Sequence, residues 1–274
     1  MKILALDGGG VFGFAQAEIM ARAECIDKFD CFVGTSIGSA VATGLALGKY
    51  DELGGSFFDE WMPRVFDQSI LRTMNIFTTK YSDRGLNDAL QYVFRGDLFG
   101  QAKKPLFVTA VNVSARDLKV FYSGDSRDGN ILAWKVVRYA TAAETFFKPM
   151  DGYADGGVFV NNPVMVAIAA ANRVLKVPLE EIEILAIGTG ESSGRDGIPR
   201  WRLGWGSWLI NAMLDGASNS MHNYFAKSLP IKRFQKIEFV RKPCWRMDDT
   251  FSMLEAQLKW KHDIEDAVKI VKEF

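Results

Sequence analysis

Short apolar runs alternate along this chain with longer runs of helical spacing. Strand-like runs fall at 3–6, 30–34, 106–113, 118–122, 182–187 and 236–240. Helix-like runs fall near 14–27, 37–48, 51–61, 86–95, 130–143, 163–175, 207–227 and 250–272. In the first of these Ala15, Ile19, Ala23 and Ile26 recur on roughly one face. Strands alternating with helices predict an α/β protein with a mostly parallel central sheet, covered by helices on both faces. Pro63 and the polar stretch Thr78 to Arg84 break the region before Phe107 and predict an insertion over the functional site. Glu191 to Pro199, with Ser192-Ser193-Gly194 and Asp196-Gly197, reads as a flexible loop. No linker is long enough to divide the chain, so a single domain over 1–274 is expected.

Three glycine-rich turns punctuate this pattern. Gly34-Thr35-Ser36-Ile37-Gly38 follows the apolar run Cys31-Phe32-Val33 and precedes a helix-like run of small and apolar residues. A serine on a tight strand-to-helix turn, flanked by glycines, is the nucleophile-elbow pattern. The glycines are required where a Cβ would meet neighbouring backbone. The plainer alternative is a serine that caps a helix. At the amino terminus the strand Ile3–Leu6 runs into Asp7-Gly8-Gly9-Gly10-Val11-Phe12-Gly13 and then a helix. Strand, glycine loop and helix gather N–H groups around negative charge. Gly8, Gly10 and Gly13 satisfy the dinucleotide fingerprint, but the same amides can form an oxyanion hole. Asp7 would set a carboxylate against a bound pyrophosphate, and the chain turns at once into the serine elbow. Both facts favour the oxyanion hole. The third turn, Asp155-Gly156-Gly157, leads to Asn161-Asn162-Pro163 and a further helix started by proline.

With these three motifs in order, the chain resembles the patatin-like phospholipase family. Weaker echoes lie in Ala140-Thr141-Ala142-Ala143 with Phe146-Phe147, and in Leu185 to Gly190. The motifs fall within residues 1–190, and 191–274 carries none that can be placed. The resemblance implies a patatin-like three-layer α/β/α fold and a serine–aspartate dyad without histidine. It makes Ser36 the nucleophile, Asp155 the base and Gly8, Gly9 and Gly10 the oxyanion hole, with Gly13, Gly34, Gly38, Gly156 and Gly157 in support. It implies a lipid acyl hydrolase of the phospholipase A type, acting on phospholipid or glycerolipid esters through an acyl-serine, with no metal and no cofactor. Two positions depart from the family pattern. Phe12 stands where a basic residue is usual, and Glu144 where proline is frequent.

Composition adds exclusions. Lys plus Arg and Asp plus Glu number 33 each, so no global field steers the chain to nucleic acid. No run approaches the length of a transmembrane helix, the first apolar run is too short for a signal peptide, and a cytoplasmic location is expected. The three cysteines suggest no disulfide framework, and no Cys/His cluster has metal spacing. Of the two histidines, His222 would complete a Ser-Asp-His chain order, yet it falls in an amphipathic stretch without loop signals. A surface or capping role is expected for it and for His262. Trp201, Trp205 and Trp208 beside Arg200 and Arg202 could dock on a bilayer; packing in a core is the alternative. Some bacterial family members are effectors switched on by cyclic nucleotides, but no residue here marks a small-molecule activator site. A catalytically silent binding or scaffold module is the alternative to hydrolysis, and a nicotinamide-dependent enzyme ranks third.

Overall fold

Along β1 (Lys2–Leu6) the side chains alternate between two cores. Leu4 and Leu6 belong to one apolar cluster, Ile3 and Ala5 to another. That alternation requires helices on both sides of the strand. The computed structural model describes residues 1–54, 57–67, 78–192, 205, 212–213 and 218–274. The other strands are β2 (Cys31–Thr35), β3 (Leu106–Asn112), β4 (Asp117–Tyr122), β5 (Tyr153–Asp155), β6 (Glu183–Ile187), β7 (Glu191–Ser192), β8 (Arg233–Ile237) and β9 (Val240–Arg241). The principal helices are α1 (Phe14–Ala23), α2 (Ile37–Leu47), α3 (Phe57–Val65), α4 (Asp83–Phe94), α5 (Ala133–Ala140), α6 (Val164–Ala169), α7 (Ser218–Ser228), α8 (Thr250–Lys259) and α9 (Lys261–Glu273).

The main sheet has seven strands in the order β4-β3-β2-β1-β6-β8, with β5 joining β3. Strands β3, β2, β1, β6 and β8 run parallel, and only β4 and β5 are antiparallel to their neighbour. One core lies under α1, α2, α4, α5 and α9, the other under α6 and Ala226 of α7. The fold is a three-layer α/β/α architecture with a mostly parallel sheet.

Register puts the glycine turns side by side. Leu6 pairs with Gly34 and with Ile187, and Ile187 pairs with Ile237. The turns after β1, β2, β6 and β8 therefore leave one edge of the sheet, the carboxyl edge where open α/β sheets bind ligands. The two edges of β3 explain how Asp155 reaches that place. Strand β4 occupies one edge from Phe107 to Asn112. Strand β2 takes the other edge only as far as Thr109, and β5 continues it with Asp155 opposite Ala110. Asp155 thus begins where β2 gives way to the elbow.

Several expected elements move. The last expected strand, 236–240, is β8 at Arg233–Ile237, because its pairing with β6 starts at Arg233 opposite Glu183. The expected helix 250–272 divides at Trp260, whose ring is fully buried between α8 and α9. Pro63 lies within α3 rather than beyond the expected helix 51–61, near the helix end, where it removes one backbone N–H donor. The stretch Thr78 to Arg84 is held in place: Lys80 and Tyr81 donate to the carbonyls of Thr145 and Phe146 at 2.9 and 3.0 Å, and Ser82 caps α4. Of the expected loop 191–199, Glu191 and Ser192 form β7 against β9; the rest lies outside the described residues.

Candidate active site

Ser36 occupies the turn between β2 and α2 with φ 52° and ψ −128°. A non-glycine residue in this region stores roughly 1–3 kcal/mol of strain, which surrounding packing must hold. The flanking glycines allow the turn to close. A Cβ on Gly34 would stand 2.4 Å from the Gly38 carbonyl, and one on Gly38 2.3 Å from the Leu6 carbonyl. Gly13 makes room in the same way for Ile37, and Gly156 for Thr109. The hydroxyls of Thr35 and Thr109, 2.7 Å apart, tie β2 to β3 under the elbow. Although Ser36 is the N-cap residue of α2, its side chain makes no capping bond. The hydroxyl turns instead to Asp155 and donates to Oδ2 at 2.5 Å.

Asp155 is almost fully buried, at 3% exposure. Its Oδ1 accepts the Gly157 N–H at 2.8 Å, leaving Oδ2 to face Ser36. Its own N–H is held by the Ala142 carbonyl at 3.1 Å. Burial pushes its pKa up to about 6, against the pull of the bonds from Ser36 and Gly157. The carboxylate is therefore a stronger base than an exposed aspartate, yet still ionised at neutral pH.

The loop after β1 faces this pair. Gly9 and Gly10 line the same cavity as Ser36 and Asp155, and among the described residues no acceptor takes either N–H. The Gly8 N–H is engaged with the Asn161 carbonyl at 3.0 Å. Of the three glycines expected as oxyanion donors, Gly8 thus ties the loop to the Asp155 turn, while Gly9 and Gly10 line the cavity. Gly10 has φ +59°, and a Cβ there would lie 2.1 Å from the Met247 carbonyl. That same carbonyl accepts the Val11 N–H at 2.9 Å, and Thr189 Oγ1 donates to the Gly8 carbonyl at 2.5 Å.

A cavity of about 580 Å³ opens over Ser36, within the range of small-molecule sites. Leu53, Phe57, Met62, Val65 and Leu86 give it an apolar wall, and Pro243 with Trp245 to Asp248 supply another side. No metal-ligating cluster occurs among the described residues. His222 does not join Ser36 and Asp155. It is buried, not on the surface, and its Nδ1 meets the Asn162 carbonyl at 2.6 Å, bracing the turn after Asp155. His262 is 91% exposed on α9. Trp205 is 46% exposed; Trp201 and Trp208 lie outside the described residues. Among those residues no helix is long and apolar enough to cross a membrane.

The profile of the family described as Patatin-like phospholipase matches residues 4–168. The chain belongs to this family. Relatives include Protein teg of Priestia megaterium, 30% identical over 75% of this chain and 67% of its own length. The cGAMP-activated phospholipase of Pseudomonas aeruginosa is 29% identical over 81% of this chain and 76% of its own. An intracellular phospholipase A2 of Caenorhabditis elegans is 26% identical over 73% of this chain, but only 20% of that protein is covered. Lipid-ester hydrolysis is the coarse function that these likenesses support.

Against the patatin-like pattern, the two departures now have surroundings. Phe12 is buried, stacked on Trp245 at 6.0 Å between ring centroids and tilted against Trp260 at 5.6 Å. The Arg241 guanidinium lies 5.4 Å from its centroid. A cation thus approaches this point from β9 rather than from the loop itself. Glu144 lines the cavity. Desolvation by the cavity wall, then the charge of Asp155, push its carboxyl up, to about 8. Thr189, Met247 and the residues around Phe12 were not singled out from the sequence. Thr189 lay in a weak family echo; Met247 acts through its backbone, which no sequence pattern marks.

Proposed function

We propose that this chain is a serine-dependent lipid acyl hydrolase that cleaves carboxylic esters of phospholipids or glycerolipids. The observation carrying this reading is the Ser36–Asp155 hydrogen bond at the floor of an apolar cavity. Asp155 Oδ2 takes the Ser36 proton as Oγ attacks the ester carbonyl carbon. The oxyanion that forms is held by the Gly9 and Gly10 amides, each such donor being worth about 3 kcal/mol. Collapse breaks the ester C–O bond, and Asp155 returns the proton to the departing alcohol. Water then attacks acyl-Ser36, Asp155 takes its proton, and collapse frees the fatty acid and restores the serine hydroxyl. The Gly157 N–H keeps Oδ1 occupied throughout, so the proton moves over Oδ2 alone.

The apolar wall suits an acyl chain, and a water–lipid boundary suits the tryptophans of 201–208. Transient contact with a membrane surface through Trp201, Trp205 and Trp208 belongs to this reading. So does a cytoplasmic location. Relatives named as cGAMP-activated phospholipases make a cyclic-dinucleotide activator part of the assay. The test is mass spectrometry of fatty acids and lysolipids released from vesicles of defined phospholipids and diacylglycerol, with and without cGAMP. Fatty acid release abolished in Ser36→Ala, together with loss of fluorophosphonate labelling, is the expected outcome. Equal release by wild type and Ser36→Ala would refute it and leave a silent binding module as the better account.

A further inference from the structure

The loop that faces the oxyanion position has a carboxyl behind it. Asp7 directly precedes Gly8 and is 1% exposed. An ionised carboxylate here opposes a developing oxyanion as surely as it would oppose a pyrophosphate. A buried carboxylate is also costly in itself unless a cation answers it. The answer comes from the far end of the sheet. Lys236 on β8 bonds Asp7 Oδ2 through its ammonium, and its side chain is only 11% exposed. The pair lies in a braced setting. Gln16 donates to the carbonyls of Asp7 and Ile187 at 3.0 and 2.8 Å. Glu238 Oε2 stands 3.6 Å from the same ammonium, while its Oε1 accepts the Gly190 N–H at 2.9 Å.

We propose that Lys236 is a positioning residue for ester hydrolysis, its ammonium cancelling the Asp7 carboxylate so that the glycine-loop amides act on the oxyanion without an opposing charge. This rests on the hydrolase reading above. It also gives a chemical role to a residue outside the span 4–168 matched by the family profile. Among the described residues, the charged groups facing Asp7 are Lys236, Glu238 and Glu191. Lys236 is the one cation among them. Burial, and then the two nearby glutamates, push the Asp7 carboxyl up, and the Lys236 ammonium is the main influence holding it down. Without the ammonium, Asp7 titrates higher, and its ionisation then brings an unanswered negative charge behind the loop.

The experiment is a pH profile of kcat/KM for fatty acid release, from pH 5 to 10, on the full chain. Wild type, Lys236→Met, Lys236→Arg and Asp7→Asn/Lys236→Met are compared. Wild type and Lys236→Arg should rise through pH 6 and then stay level. Lys236→Met should gain a falling alkaline limb of about tenfold. The double variant should lose that limb and return to within about threefold of wild type, because the carboxylate directly behind the loop is gone. A merely structural lysine predicts something else: a loss uniform across pH that removing Asp7 does not repair. Either that uniform loss, or a Lys236→Met profile matching wild type, overturns the proposal. If Lys236→Met does not fold, the double variant decides. A level profile near wild-type rate supports the proposal, and a loss beyond about tenfold overturns it. Fluorophosphonate labelling of wild type separates the two readings. No labelling and no release would fell the hydrolase reading and this inference with it. A labelled, active wild type with an indifferent Lys236→Met would fell the inference alone.

Discussion

Asp155 does two things that conflict. To act as a base it must be basic enough to take a serine proton, which burial provides. To remain charged at neutral pH it must stay in a place that penalises charge. With a pKa raised to about 6 by burial, the folded protein binds a proton that the unfolded chain has already lost between about pH 4 and 6. The sign follows directly. The folded state holds more protons in that window, so stability falls as pH rises through it and then levels off. The total is about 3 kcal/mol. Asp155→Asn lacks this titration. Its stability relative to wild type should therefore grow by about 3 kcal/mol between pH 4 and pH 8, while fatty acid release is lost. Urea unfolding at the two pH values checks this. A constant difference between the proteins would mean that Asp155 is not under the strain assigned to it.

At the scale of elements, the candidate site is a set of turns leaving one edge of a parallel sheet. The loop after β1 is the most constrained of them, because Gly10 combines φ +59° with the Met247 carbonyl at its back. Gly10→Ala should push the loop off that carbonyl and misplace an oxyanion donor. A fall in kcat of about 10²–10³ is expected, with KM little changed, since the donor acts on the transition state. Steady-state kinetics on a soluble ester tests it; a KM effect alone would argue that the loop binds substrate instead. This loop also shows why parts of the site were legible and others were not. The Gly-x-Ser-x-Gly turn and Asp-Gly-Gly carry their constraints locally, in residues that a tight turn demands. Strand β5 is only Tyr153–Asp155, too short for an alternating pattern, and it forms because β3 offers an empty half-edge. Lys236 sits in a strand whose pattern Arg233-Phe234-Gln235-Lys236-Ile237 looks like an ordinary solvated edge. Only the sheet order, with β8 beside β6 and β6 beside β1, brings its ammonium to Asp7.

For the whole molecule, the question is whether the stretch after residue 190 is part of the same folding unit. The motifs give no reason to think so, whereas the packing gives several. Trp260 is fully buried and contacts Phe12, Phe14, Phe239 and Trp245. Phe12 and Phe14 flank the start of α1, directly after the glycine loop. Pro243 and residues 245–248 wall the cavity, and Asp248 accepts hydrogen bonds from Lys80, Tyr81 and Arg246. A carboxyl-terminal segment so joined to the amino-terminal loop should melt with it. Trp260→Ala removes a large ring from this junction and should cost about 3–5 kcal/mol. In a chain of this size that lowers Tm by about 10 °C. If 1–274 is one cooperative unit, far-UV circular dichroism, tryptophan fluorescence and loss of esterase activity should shift together in the variant. An early fluorescence transition, with activity and the rest of the dichroism unmoved, would show that the carboxyl-terminal segment unfolds alone. It would also show that the site depends on β1, β2 and β5 more than on the wall that encloses it.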